Sequence, residues 1–244
     1  PKITERGFKM IFRTIGLDSM QGPAAGNYIA DTIKPKHMAI IHDKQQYGEG
    51  IATAVKKTVE AKGINVALFE GITSGDKDFS ALIAKMKKEH VDFVYYGGYH
   101  PELGLILRQS GEKGLKVQFM GPEGVGNKEI SSIAGQASEG LLVTLPPSFD
   151  KLPENQGLVE AFKAKKEDSS GAFVMTSYAA AQVIADAIQN AGVDDPSKVA
   201  ENIHSSSFKT PIGTISFDEK GDLKNARFVI YKWHADGTKT EVKQ

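Results

Sequence analysis

The sequence has 244 residues, 40% of them hydrophobic, with 30 acidic and 30 basic side chains and no cysteine. That length suits one large α/β domain or two of ordinary size, and zero net charge argues against nucleic acid or an anionic membrane as the main partner. Without cysteine there is no thiol catalysis, disulfide or cysteine-ligated zinc, and no apolar run of 18 residues spans a bilayer.

The opening "PKITERGFKM" has neither an initiating methionine nor the basic and apolar regions of a signal peptide. It reads as the start of a processed or truncated product, and the lack of cysteine suits an oxidising compartment. From residue 37 strands and helices alternate. "HMAIIH" (37–42) is short and apolar enough for a buried strand, and 47–63 follows as a helix with Ile51, Ala54, Val55, Thr58 and Val59 on one face and a stop at Gly63. The next strand is 64–69. The helix over 78–89 buries Phe79, Leu82, Ile83 and Met86 and takes Asp78 as its N-cap. A strand at 91–96, a helix over 101–114 with Pro101 at its start, and strands at 117–120 and 140–144 complete the series.

Near "LPPSFDKLPENQG" (145–157) the pattern breaks into a proline-rich crossing between domains. Helices are predicted over about 157–166, 172–191 and 197–203. Residues 211–237 then alternate as a strand, a turn at Asp218–Leu223, and a second strand ending in the turn Ala235–Asp236–Gly237. This part has too few strands for its helices to cover.

Alternating strands and helices mean a parallel sheet covered on both faces, with ligands beyond the carboxyl ends of its strands. Those ends carry "HDKQQYGEG" (42–50), "YYGGYHPE" (95–102) and "GPEGVGN" (121–127), all glycine-rich. Glu123 is an acid among glycines that allow close backbone approach. The last loop is not a phosphate loop, because Asn127 stands where the lysine is needed. There is no G-x-S-x-G or H-E-x-x-H. His37 and His42 would point to opposite faces of a strand, which is poor for a shared metal. His90, His204 and His234 are expected to be exposed at element ends. Tyr47, Tyr99, Glu123 and Phe173 remain. One acid among aromatics suits a small cationic or zwitterionic group, and no second acid or base is paired with it for hydrolysis.

The segments "HDKQQYGEG", "KDFSALIA", "VDFVYYGGYHPE", "QFMGPEGVGN" and "FDEKGDLK" closely resemble the periplasmic leucine/isoleucine/valine-binding proteins of bacterial ABC importers, and the likeness runs through the whole chain. The resemblance implies an α/β fold of the type I periplasmic-binding-protein kind: two doubly wound parallel-sheet lobes joined by a hinge. One lobe is expected from 18–146 plus 227–244. The other, from 1–17 plus 147–226, is expected to be incomplete, short of an N-terminal segment that the family carries. It further implies that Glu123, beside Gly124, holds a ligand ammonium, that Tyr47 and Tyr99 wall the site, and that Phe173 contributes from the other lobe. The groups that take the ligand carboxylate are expected to lie in the absent segment. The implied protein is a periplasmic receptor, not an enzyme, with its signal peptide removed, no cofactor and no metal. It captures branched-chain amino acids for the membrane permease of an ABC importer; the alternative is a receptor or sensing domain for another neutral amino acid. A complementing N-terminal segment or a second copy is expected to cover the incomplete lobe.

Overall fold

The central strands form because short runs of apolar, largely β-branched and aromatic residues are long enough to cross a sheet and too short for a helix. In the computed structural model, which describes residues 2–242, β1 (Met38–His42) and β3 (Phe93–Gly97) are buried at every position. β2 (Val66–Gly71), β4 (Gln118–Gly121) and β5 (Leu142–Leu145) run parallel to them. The sheet order is β2-β1-β3-β4-β5-β8-β9, where β8 (Val229–Trp233) and β9 (Lys239–Glu241) add antiparallel at one edge.

Between successive parallel strands lie α2 (Gln46–Ala61), α3 (Ser80–Lys88), α4 (His100–Glu112) and α5 (Glu129–Ala134). Ahead of β1, α1 (Asp18–Tyr28) packs on α2. Met38, Ile40, Phe93, Tyr95, Met120 and Ile230 join Ile29, Val55 and Val59 in one buried cluster. The N-cap of α3 is Phe79 and not the expected Asp78; Asp78 Oδ1 accepts from the Ser80 backbone N–H at 2.9 Å, two residues on, one residue outside the cap.

Contacts divide the chain into two units, one of 18–145 and 228–244 and the other of 1–17 and 146–227. The second unit holds α6 (Gln156–Ala164), α7 (Val174–Ala191), α8 (Pro196–Ser205) and a two-stranded sheet of β6 (Phe208–Thr210) and β7 (Gly213–Ile215). Its core joins Val183, Ala187, Val199, Ile203, Phe208 and Phe217. Buried Asp222 accepts from Thr4 Oγ1 and Arg13 Nε, both at 3.0 Å, and so fastens the opening residues to this unit. Tyr178, Ile184 and Ile188 stay exposed on α7, beside a groove of about 390 Å³ lined by Met10, Phe12 and Ile184.

The hairpin expected over 211–237 is not formed. Its turn is present, with Asp218 Oδ1 accepting from the Lys220 and Asp222 backbone N–H groups at 2.9 Å, but only the bridge Phe217–Leu223 joins the two arms. The second arm pairs instead with β5 in four-residue register, while Gly213–Ile215 pairs back onto 208–210. Two of the histidines expected to be exposed are half-buried. His204 lies against Phe12 with ring centroids 4.6 Å apart, and His234 Nδ1 lies 3.0 Å from Glu139 Oε1.

Candidate functional site

In the order β2-β1-β3-β4-β5, the connections leave in opposite directions on either side of the β1/β3 neighbours. In open α/β sheets such a switch point, outside the carboxyl ends of the strands, is where ligands bind. The loops after β1, β3 and β4 meet at that edge and carry Tyr47, Tyr99 and Glu123.

The first two loops are joined by small residues. The Asp43 backbone N–H donates to the Gly97 carbonyl at 3.0 Å, and Asp43 Oδ1 accepts from the Gln45 N–H at 2.9 Å, which shapes the entry to α2. A Cβ on Gly48 would stand 2.2 Å from Asp43 Oδ1, and one on Gly97 would stand 2.2 Å from the Gly48 carbonyl oxygen. These glycines let the start of α2 rest on the end of β3. Tyr47 and Tyr99 are thereby brought face to tilted face, with ring centroids 5.3 Å apart. Buried Glu102 accepts from the Gly75 N–H at 2.9 Å and holds the loop after β2 against α4.

The third loop closes on this pair. After β4, Glu123–Val125 forms a single 3₁₀ turn, with the Gly126 N–H donating to the Glu123 carbonyl at 2.8 Å. The Gly124 N–H donates to Tyr47 Oη at 3.1 Å, so that hydroxyl keeps its own proton to give elsewhere. A Cβ on Gly124 would lie 2.4 Å from the Gly98 carbonyl oxygen, 3.0 Å from Tyr47 and 3.2 Å from Tyr99. Only glycine fits between the two rings at this distance.

Glu123 stands beside Gly124 with its Oε1 buried and without a hydrogen-bond partner. Burial, and then the negative charge of Asp18, push its carboxyl up to about 8. Burial likewise raises the Tyr47 hydroxyl far above its ordinary value, against the lowering effect of the Gly124 N–H. The site therefore offers an acid with one buried, unpartnered oxygen, a phenol with a proton to donate, and a second aromatic ring that is 48% exposed. A carboxylate so placed gains most from a small cation that brings its own N–H donors.

Tyr47, Tyr99, Glu123 and Gly124 are thus gathered at one sheet edge. Phe173 belongs to the other unit, where it is exposed immediately before α7. Asp18 was not expected in the site. It begins α1, whose position is set by Gln21 Nε2 donating to Thr144 O at 3.0 Å and to Thr144 Oγ1 at 2.9 Å. In sequence, an aspartate opening a helix reads as a helix-start signal and nothing more.

A family described as periplasmic binding protein matches residues 2–238. The chain belongs to the periplasmic binding protein family. It is 62% identical to a leucine-, isoleucine-, valine-, threonine- and alanine-binding protein of Pseudomonas aeruginosa, with 100% of this chain and 65% of that relative aligned. It is 54% identical to a Leu/Ile/Val-binding protein of Escherichia coli K12, over 100% of this chain and 66% of the relative. The chain therefore spans about two-thirds of the length of the curated relatives it matches. Among solved structures, a leucine binding protein of Thermotoga maritima superposes with a TM-score of 0.89 at 28% identity, covering 100% of this chain and 69% of the other. A periplasmic binding protein type 1 from Bordetella pertussis gives 0.81 at 19% identity, covering 93% and 66%, and shows the shared fold. This periplasmic binding protein thus has the type I fold, mixed α/β with a mainly parallel sheet.

Proposed function

We propose that this chain is the larger part of a periplasmic receptor that captures branched-chain amino acids and delivers them to the membrane permease of an ABC importer. The observation that carries this reading is the buried, unpartnered Oε1 of Glu123, beside the Gly124 that lies against Tyr47 and Tyr99. It suits the α-ammonium that every amino acid presents. The names of the relatives from Pseudomonas aeruginosa and Escherichia coli support leucine, isoleucine and valine as ligands. Among the described residues no helix is long and apolar enough to cross a membrane. The receptor works by binding alone, without cofactor or chemistry.

In this reading Glu123 is the ammonium acceptor. Tyr47 and Tyr99 wall the ligand, and Gly124 permits their approach. Phe173 is proposed as a further contact on the resemblance in "SGAFV". The two compact units are proposed as the two lobes. The length that the relatives carry outside the match is proposed to cover the exposed face of α7 and to supply the groups for the ligand carboxylate. A second reading, a receptor for other small neutral amino acids, is favoured by threonine and alanine in the Pseudomonas aeruginosa relative's name. Calorimetric titration of the natural protein with each of the twenty amino acids tests both. Tight binding confined to leucine, isoleucine and valine supports the first, and a preference for threonine or alanine supports the second. Binding of none would refute both.

A further inference from the structure

Resting on the reading of Tyr99 and Glu123 as ligand contacts, we propose that His100 and Glu129 are positioning residues. Their hydrogen bond ties the loop that carries Tyr99 to the loop that carries Glu123, and so fixes the ring against the acid's turn. Tyr99 is held loosely by its own helix. It is the N-cap of α4, and the helix bond to its carbonyl, from the Leu103 N–H, is long at 3.5 Å. Its ring is exposed on one side and meets Tyr47 on the other. A ring so placed keeps its position only if the backbone at the start of α4 is held from outside the helix.

His100 supplies that hold. It follows Tyr99 directly as the first residue of α4, and its Nε2 lies 3.1 Å from Glu129 Oε2. A carboxylate only accepts, so Nε2 carries the proton of this bond. Glu129 is the first residue of α5, and its backbone N–H donates at 2.9 Å to Oδ1 of Asn127, just past the Glu123–Val125 turn. Four residues further along each helix, Gly104 lies against Ile133, where a Cβ on the glycine would stand 2.7 Å from Ile133 Cγ2. Residues four apart share a helix face, so α4 and α5 touch along one seam, close and apolar at Gly104 and polar at its end. Tyr99 and the Glu123 turn flank that end, and a Cβ on Gly124 would lie 3.2 Å from Tyr99 Cδ1. The same bond does little for the fold. The Glu129 side chain is 67% exposed, and pairs of that kind add little stability. A binding group, by contrast, must be held to within about 0.5 Å of its working position. The brace is therefore felt in affinity more than in stability.

The test is calorimetric titration with leucine, alongside thermal melting, of the natural protein and of its Glu129→Ala, Glu129→Gln, Tyr99→Ala and doubly substituted Tyr99→Ala/Glu129→Ala forms. Glu129→Ala should bind leucine about two- to fivefold more weakly while melting within about 2 °C of wild type. Glu129→Gln keeps an oxygen for the His100 N–H and should restore wild-type affinity. In the Tyr99→Ala background, Glu129→Ala should cost nothing further, because the brace acts through a ring that is no longer there. Wild-type affinity in Glu129→Ala, or the same loss with and without the Tyr99 ring, would overturn the brace and leave the receptor reading standing. A loss shared by Glu129→Gln would assign the effect to the charge of Glu129 and overturn the brace likewise. Absence of leucine binding by the wild-type protein would overturn the receptor reading and the brace with it.

Discussion

At the scale of the residue, Glu123 is stable as an acid and useful as an anion. Burial, and then the charge of Asp18, push its carboxyl up to about 8 in the folded chain from an ordinary value of 4.5. The folded state holds that proton more tightly between these values, so the associated stability is present below about 4.5 and is lost as the pH rises through about 8. Glu123→Gln removes the loss. Without ligand, the variant should melt at a higher temperature than wild type at pH 9 and at a similar one at pH 4.5, as followed by circular dichroism. With ligand the order reverses. The same variant should lose about 2–5 kcal/mol of amino-acid affinity, as expected when one partner of a buried charge pair is truncated. Tyr47→Ala and Tyr99→Ala should each weaken leucine binding by less than Glu123→Gln, because each removes one wall of a shared pocket. A sharp fall in melting temperature with unchanged affinity would assign either ring to the core. The acid and both tyrosines were legible in the sequence because each follows a clear apolar strand. Asp18 was not, since nothing in a linear reading distinguishes a helix-opening aspartate from one whose charge acts on another acid 105 residues away.

At the scale of the element, the site depends on how closely α1 and α2 approach. A Cβ on Gly22 would lie 2.5 Å from the Ala54 Cβ, and one on Gly26 would lie 2.6 Å from the Thr58 Cβ. Gly50, in the same α2, meets nothing within 4 Å. Gly22→Val should therefore cost about 1–3 kcal/mol by overpacking, whereas Gly50→Ala should be stabilising by up to about 1 kcal/mol through helix propensity. Urea unfolding of the two variants checks the contrast, and equal effects would contradict it. The parallel strands were readable because β1 and β3 are uninterrupted apolar runs, buried along their whole length. The placing of β8 was not readable. Residues 211–237 alternate as a local hairpin would, yet Val229–Trp233 finds its partner in β5, far back in the chain. Periodicity reports which face of a strand is buried and says nothing of its neighbour.

At the scale of the whole molecule, the two units differ in how well they are covered. One contains a seven-stranded sheet; the other contains two short strands, with Tyr178, Ile184 and Ile188 exposed on α7. Val183, on the same helix, is buried against α8. Each large apolar side chain left in water forgoes roughly 1.5–3 kcal/mol, against a total domain stability of about 5–15 kcal/mol. Amide exchange in this 244-residue chain should be fast across 157–203 and slow in β1, β2 and β3. Residues 157–203 should become protected in a protein of the relatives' full length. Uniformly slow exchange in the shorter chain would contradict this, and protection that depends on concentration would identify a second copy as the cover.

The central claim is that Glu123 receives an α-ammonium, and the most direct measurement compares two ligands that differ only in that group. The natural protein is titrated by calorimetry with leucine and with 4-methylpentanoic acid, which keeps the side chain and the carboxylate and lacks the amine. The account predicts that the des-amino acid binds at least about 30-fold more weakly, the equivalent of about 2 kcal/mol, and that Glu123→Gln largely abolishes the difference. Equal affinity of the wild-type protein for the two ligands would contradict it.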